Sequence, residues 1–255
     1  MGSSYHQFCP VAKAMELLDE RWTLLIVREL VTGSQHFNEL RRGVPRMSPT
    51  LLSRRLHQLT RAGIVDRHDS GGDVRYVLTA AGRELRPVVE ALGIWGTRWI
   101  GEIGDEDLDP KLLLWDMHRN IDHQAVPGRR TVVSFSFPDV LPPARYWWLV
   151  ITPEDADVCD ADPGYPVSVT ITATLRNMIR IWRGDLSWPN ALHAAANFDS
   201  FANAHLVQDR HTTGTLSLPG FQLSAHAVNP GGGGVLETIR ILRTLNAPPL
   251  LPVIE

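Results

Sequence analysis

The chain has 255 residues, with 25 lysines and arginines against 28 acids (formal charge −3), and is 44% hydrophobic, enough apolar chain for one large or two ordinary cores. No apolar run approaches the ~20 residues a membrane span needs, and the opening MGSSYHQFCPV has neither the basic segment nor the apolar stretch of a secretory signal. The only cysteines are Cys9 and Cys159, without a CxxC, which argues against a disulfide framework or structural zinc and fits a reducing, cytoplasmic setting.

Residues 10–18 are predicted to form a short helix with Val11, Met15 and Leu18 on one face. Residues 21–31 form the next, buried through Trp22, Leu25, Ile26 and Leu30 and stopped by Gly33. A third, at 36–42, is anchored by Phe37 and Leu40, and Gly43-Val44-Pro45 turns the chain into the stretch around which the rest is organised, residues 45–63. Ser48 is a good N-cap there, Pro49 suits the first helical position, and Gly63 supplies a left-handed stop. Leu52, Leu56 and Leu59 recur at helical spacing, so one side is core. The other side carries Thr50, Ser53, Arg54, His57 and Arg61. Short hydroxyls let a helix approach phosphates and base edges, and arginine forks onto guanine or phosphate. Arg46, just before the helix, is a candidate phosphate contact, and Arg55, at the edge of the apolar side, reaches either a phosphate or an acid.

Residues 41–67 contain seven arginines and one acid, a local charge of +6 that leaves −9 on the remainder. A basic patch on an otherwise acidic chain is the footprint of nucleic-acid binding. Two β-type segments follow, 64–68 and 74–78, separated by DSGGD, a glycine-rich hairpin turn, with Arg67 and Arg75 flanking it. A helix–turn–helix followed by a basic hairpin is a winged-helix arrangement. Thr79 then caps a helix over roughly 80–103, which Pro87 kinks or restarts. Its Leu92, Trp95 and Trp99, with the first helix, form either a dimer interface or a contact with a second domain.

GDEDLDPK, ending at Lys111, reads as an acidic connector, followed by a helix over 111–121. Strands are predicted at 131–137, 145–152, 157–160 and 166–173; RYWWLVIT is apolar on both faces and so reads as a central strand. A helix with Leu175, Met178, Ile179 and Trp182 follows, ended by Gly184, then another over 186–195. This order is α+β. Further on, 215–223 reads as one weak strand, 231–234 as a glycine linker and 236–245 as a short amphipathic helix, in a partly irregular tail.

The residues Cys9-Pro10, Trp22-Thr23-Leu24-Leu25, Arg28-Glu29-Leu30, Phe37-Asn38-Glu39-Leu40, Ser48-Pro49, Leu52-Ser53 and Arg55-Leu56, continued by Leu59, Ala62-Gly63, Arg67, Tyr76 and Leu78-Thr79, resemble the DNA-binding domain of the HxlR family of bacterial regulators. The resemblance spans about residues 8–100. It implies a homodimeric winged helix on a two-fold operator, with DNA contacts from Ser48, Thr50, Ser53, Arg54, His57 and Arg61 on the helix and Arg67 and Arg75 on the wing. Some members use a cysteine near the first helix as a redox or electrophile sensor, a role open to Cys9 beside that of a small buried apolar residue. RYWWLVI, residues 160–164 and VTITATLRNMIRIWRGDLSWPNAL resemble, more loosely, a sterol-carrier-protein-like domain. That implies an apolar cavity for a lipid-like effector, with Phe135, Phe137, Trp148, Met178 and Trp182 either lining it or filling a core. Beyond Asn197 this resemblance stops, which leaves the second domain incompletely closed.

The expected architecture is therefore α+β, with a winged helix-turn-helix domain at 1–104, a linker at 105–111, a mixed α+β sterol-carrier-like domain at 112–197 and a divergent extension at 198–255. No HExxH, GxSxG, Walker loop or GxGxxG is present, and no cofactor, metal site or catalytic residue is expected. The expected function is operator binding to double-stranded DNA as a homodimer, modulated by an apolar small molecule. The alternatives are a lipid or small-molecule carrier and a thiol-based sensor acting through Cys9.

Overall fold

The structure is a computed structural model that describes residues 4–100, 103–121, 123 and 130–186, and the backbone of 214–218 and 221–225. The chain divides into two compact units between residues 102 and 103. Among the described residues no helix is long and apolar enough to cross a membrane.

The first unit runs through helices α1 (Pro10–Leu18), α2 (Thr23–Val31), α3 (Phe37–Gly43) and α4 (Pro49–Arg61), the strands β1 (Val65–Ser70) and β2 (Asp73–Leu78), and helices α5 (Ala80–Arg83) and α6 (Arg86–Trp99). Helix α2 starts two residues later than its apolar spacing predicts, because Trp22 adopts a left-handed φ of 79° at the N-cap. Ile26, Val27, Leu40, Leu52, Leu56, Leu59 and Val65 are essentially sealed from solvent and form one core. The single long helix expected after Thr79 is two. Pro87, in the first turn of α6, has no amide to continue the ladder from α5, so the chain turns at Glu84 and Leu85 before restarting.

One buried acid locks α3 to α2. Glu29 is 0% exposed; Arg28 donates to it through Nε (3.1 Å) and Nη2 (2.8 Å), and the same Nη2 donates to the Gly43 carbonyl at 2.9 Å. A Cβ at Gly43 would lie 1.8 Å from the Glu29 carboxylate. Gly43 is therefore required for close approach, which the sequence reading treated only as a turn.

The second unit begins at Ile103. Arg176 donates to the Ile103 carbonyl (2.6 Å) and pairs with Asp105 (2.5 Å), so the acidic connector is docked on this unit. Helix α7 (Pro110–Arg119) is capped by Asp109, which accepts from the amides of Lys111 and Leu112. Strands β3 (Thr131–Ser136), β4 (Tyr146–Ile151), β5 (Ala156–Cys159) and β6 (Val169–Ala173) follow, then α8 (Leu175–Trp182) and the strands β7 (Gly214–Leu218) and β8 (Phe221–Ala225). The six strands form one mixed sheet in the order β5-β4-β3-β6-β8-β7, with β3 and β6 parallel. Strand β4 is interior, as its two-sided apolar character predicts. Helices α7 and α8 share a core with Val133, Phe135, Leu149, Ile151 and Ile171 of the sheet.

The weak strand expected at 215–223 is instead two antiparallel strands, with β8 paired to β6. In the sequence Pro219-Gly220, a dipeptide that disfavours a continuous strand, lies inside the stretch read as one. The sheet thus continues two strands past the point where the resemblance stopped. The helix expected at 186–195, apart from Leu186, and the features at 231–234 and 236–245 lie outside the described residues.

Candidate nucleic-acid interface

Ser48 has extended backbone angles, and its hydroxyl oxygen accepts from the Leu51 amide at 3.3 Å, starting α4 as its sequence predicts. A serine hydroxyl that accepts this bond still carries a proton it can donate. Thr50, Ser53, Arg54, His57 and Arg61 are all exposed along one side of α4, while Leu52, Leu56 and Leu59 are buried on the other. Arg54 and Arg61 have no hydrogen-bond or ion-pair partner among the described residues. Arg46 is exposed in the turn before the helix.

Arg55 belongs to the interior. It is 7% exposed, pairs with Glu20, and donates to the Gln58 side chain (2.7 Å) and the Arg21 carbonyl (3.4 Å). Of the two destinations its position left open, the acid is the one it reaches. The formal +6 of this segment therefore overstates the charge presented to solvent.

The wing is the β1–β2 hairpin, with Gly71 and Gly72 at φ 64° and 99° in its turn, left-handed conformations that glycine adopts without strain. Its arginines are exposed but paired: Arg67 with Asp69 at 2.9 Å and Arg75 with Asp73 at 2.8 Å. A phosphate must displace these acids or share the two arginines with them.

The wing is also tied to α3. The Tyr76 amide donates to the Gln35 carbonyl at 2.8 Å, and His36 bridges to Arg75. The His36 ring has Glu39 Oε1 3.0 Å from Nδ1 and Asp73 Oδ1 3.0 Å from Nε2. The hydrogen bond to Glu39 first, and Asp73 after it, raise the His36 pKa above its ordinary value against the opposing effect of desolvation. Burial alone would raise the Glu39 pKa, but the donated amides of His36 and Gln35 lower it overall. The Arg75 hydrogen bond lowers that of Asp73. Sequence reasoning missed this cluster. The available signal was the spacing of Glu39 three residues after His36, a reach-back to the start of a helix; nothing local pointed to Asp73.

The remaining candidates lie apart from this face. Cys9 is half-buried at the N-cap of α1, where its side chain caps nothing, and both cysteines are free thiols. Cys159 ends β5; burial first, then Asp157 and Asp160, push its thiol pKa up, away from easy thiolate formation. Phe135, Phe137, Met178 and Trp182 are packed in the second core, with the Trp182 indole donating to Asp116 at 2.7 Å. Trp148 does not join them. Strand alternation turns it to the opposite sheet face, across from Ser134 and Cys159, while its neighbour Trp147 occupies the core. Among the described residues no cluster of histidine, cysteine or acidic side chains has the makings of a metal site.

Residues 17–103 match the family model described as HxlR-like helix-turn-helix. The HTH-type transcriptional regulator YvaP of Bacillus subtilis is 37% identical over 98 residues, covering 37% of this chain and 91% of that protein. The HTH-type transcriptional regulator sll1512 of Synechocystis is 37% identical over 95 residues, covering 36% of this chain and 70% of that protein. Among solved structures, quinone-bound YodB from B. subtilis is 32% identical, covering 36% of this chain and all of that one, with a TM-score of 0.33.

Proposed function

The chain belongs to the HxlR-like helix-turn-helix family of transcriptional regulators, and from that premise we propose that it binds a two-fold operator as a homodimer through α4 and the β1–β2 wing. The observation that carries the reading is the exposed row of Thr50, Ser53, Arg54, His57 and Arg61, whose two guanidinium groups have no partner among the described residues. Ser48 and Arg46 contribute phosphate contacts at the start of the helix, and Arg67 and Arg75 do so from the wing. A stripe on α6, comprising Val88, Leu92, Trp95 and Trp99 (42–67% exposed), supports the dimer, as do Val11 and Met15 on α1. Apolar side chains this exposed and regularly spaced favour a partner surface. Two copies joined there would present their recognition helices to half-sites one helical turn apart.

The second unit is the effector domain in this reading, a sterol-carrier-like fold working in the cytoplasm. Its apolar helix–sheet layer, containing Phe135, Phe137, Met178 and Trp182, is where a lipid-like ligand would insert. Such a ligand acts only by binding two dimer geometries with different affinity. Native mass spectrometry of the purified chain tests this, and a preparation that carries and accepts no apolar ligand removes the effector.

The decisive experiment begins with DNA fragments retained by the wild-type protein. Arg54→Ala with Arg61→Ala should weaken their binding and flatten its salt dependence, by about one unit of log–log slope per lost phosphate contact. Wild-type binding by the double variant would refute this face as the interface.

A further inference from the structure

We propose that His36 is a positioning residue: its imidazolium, held between the carboxylates of Glu39 and Asp73, fastens the wing to α3 and makes DNA affinity depend on pH. The proposal rests on the regulator reading for its consequence, but not for its geometry.

Each ring nitrogen lies 3.0 Å from a carboxylate oxygen. A neutral imidazole has one N–H and one lone pair, so one of its nitrogens would face an acceptor with nothing to donate; only the doubly protonated ring satisfies both. Glu39 is held in place by the amides of Gln35 and His36, at 2.7 and 2.9 Å. Asp73 is held by Arg75 Nε at 2.8 Å. The titratable and charged groups on the elements around the ring are Glu39 from α3, Asp73 and Arg75 from β2, and His68 of β1, opposite Arg75 in the ladder. The two acids touch the ring and favour its proton, and desolvation opposes them.

The ring consequently keeps its proton above the ordinary 6.5. Because the folded value is raised, the clamp is complete below about pH 6.5 and is lost as the pH climbs through that raised value. The two carboxylates, shifted down, stay charged throughout. Opening releases the tip of the wing, since the Tyr76–Gln35 hydrogen bond still holds the base of β2. A loosened tip must be ordered again on DNA, which costs affinity.

The test uses the full chain as wild type, His36→Gln and His36→Arg. Without DNA, the His36 ring signal, assigned by its absence from His36→Gln, is titrated by NMR. With DNA, Kd for a retained fragment is measured from pH 6 to 8.5 at constant ionic strength. The ring should titrate above 6.5, and Asp73→Asn should lower that midpoint. Wild-type affinity should fall with rising pH about three- to tenfold more than that of His36→Gln. His36→Arg, which keeps a cation between the acids, should bind tightly and lack that component. A ring midpoint at or below 6.5, or one pH profile shared by all three proteins, overturns the clamp. Failure to bind DNA at any pH would refute the regulator reading, and the ring titration would still decide the clamp.

Discussion

Arg54 and Arg55 are adjacent, share a helix, and have opposite fates. Arg54 projects into solvent, whereas Arg55 is buried against Glu20, Gln58 and the Arg21 carbonyl. Arg54→Ala should leave the melting temperature unchanged and weaken DNA binding. Arg55→Ala strands Glu20 and removes an inter-helix tie. Glu20 is about one-third exposed, so the loss should be about 2 kcal/mol rather than the larger cost of a fully buried pair. Thermal melts beside fluorescence-anisotropy titrations separate the two outcomes. Gly43→Ala drives a methyl into the Glu29 carboxylate. It should destabilise the protein by about 1–3 kcal/mol, read as a lower denaturant midpoint, and an unchanged midpoint would mean that α3 can shift without cost.

At the scale of elements, α4 and α6 illustrate two ways an amphipathic helix is used. Helix α4 buries its leucines within its own unit and leaves a polar row outside, so losing the Ser48 cap should cost stability without changing what the row recognises. Ser48→Ala is expected to cost about 1 kcal/mol, measured by chemical denaturation. In α6 no side chain is buried, although Val89, and Leu85 just before the helix, pack partly against the first core. Its exposed stripe needs a second surface to leave water. In the proposed dimer, Trp95→Glu should yield a monomer in sedimentation velocity and weaken operator binding with it, because half-site affinities no longer add. A dimer that survives the substitution would place the interface elsewhere.

Over the whole molecule, charge is distributed unevenly: seven arginines in 41–67 are set against a net −3 for the chain. If two copies engage phosphates through α4 and the wing as proposed, raising salt from 50 to 200 mM should cost affinity about a thousandfold. A nearly flat salt profile would contradict phosphate contacts as the main source of binding. The two units have separate cores, with no residue common to both clusters. Family membership of residues 17–103 therefore bears on DNA recognition and leaves the second unit to be argued from its own sheet and helices.

Local chemistry determined much of this protein from sequence. Ser48, Pro49 and Gly63 delimit α4, the leucine spacing gives its buried side, and the glycine pair gives the wing its turn; each depends on neighbours within a few residues. The exposed row of α4 was legible for the same reason. The tertiary structure decided what distant residues do to one another. Glu20, 35 residues before Arg55, withdraws it from the basic face, and Asp73, 37 residues after His36, joins it to the wing. Strand parity inside an apolar run sends Trp147 inward and Trp148 outward. Hydrophobic period and capping are short-range and leave their mark in order along the chain. Ion pairs across elements, and the choice between two faces that are both apolar, depend on packing that brings remote segments together.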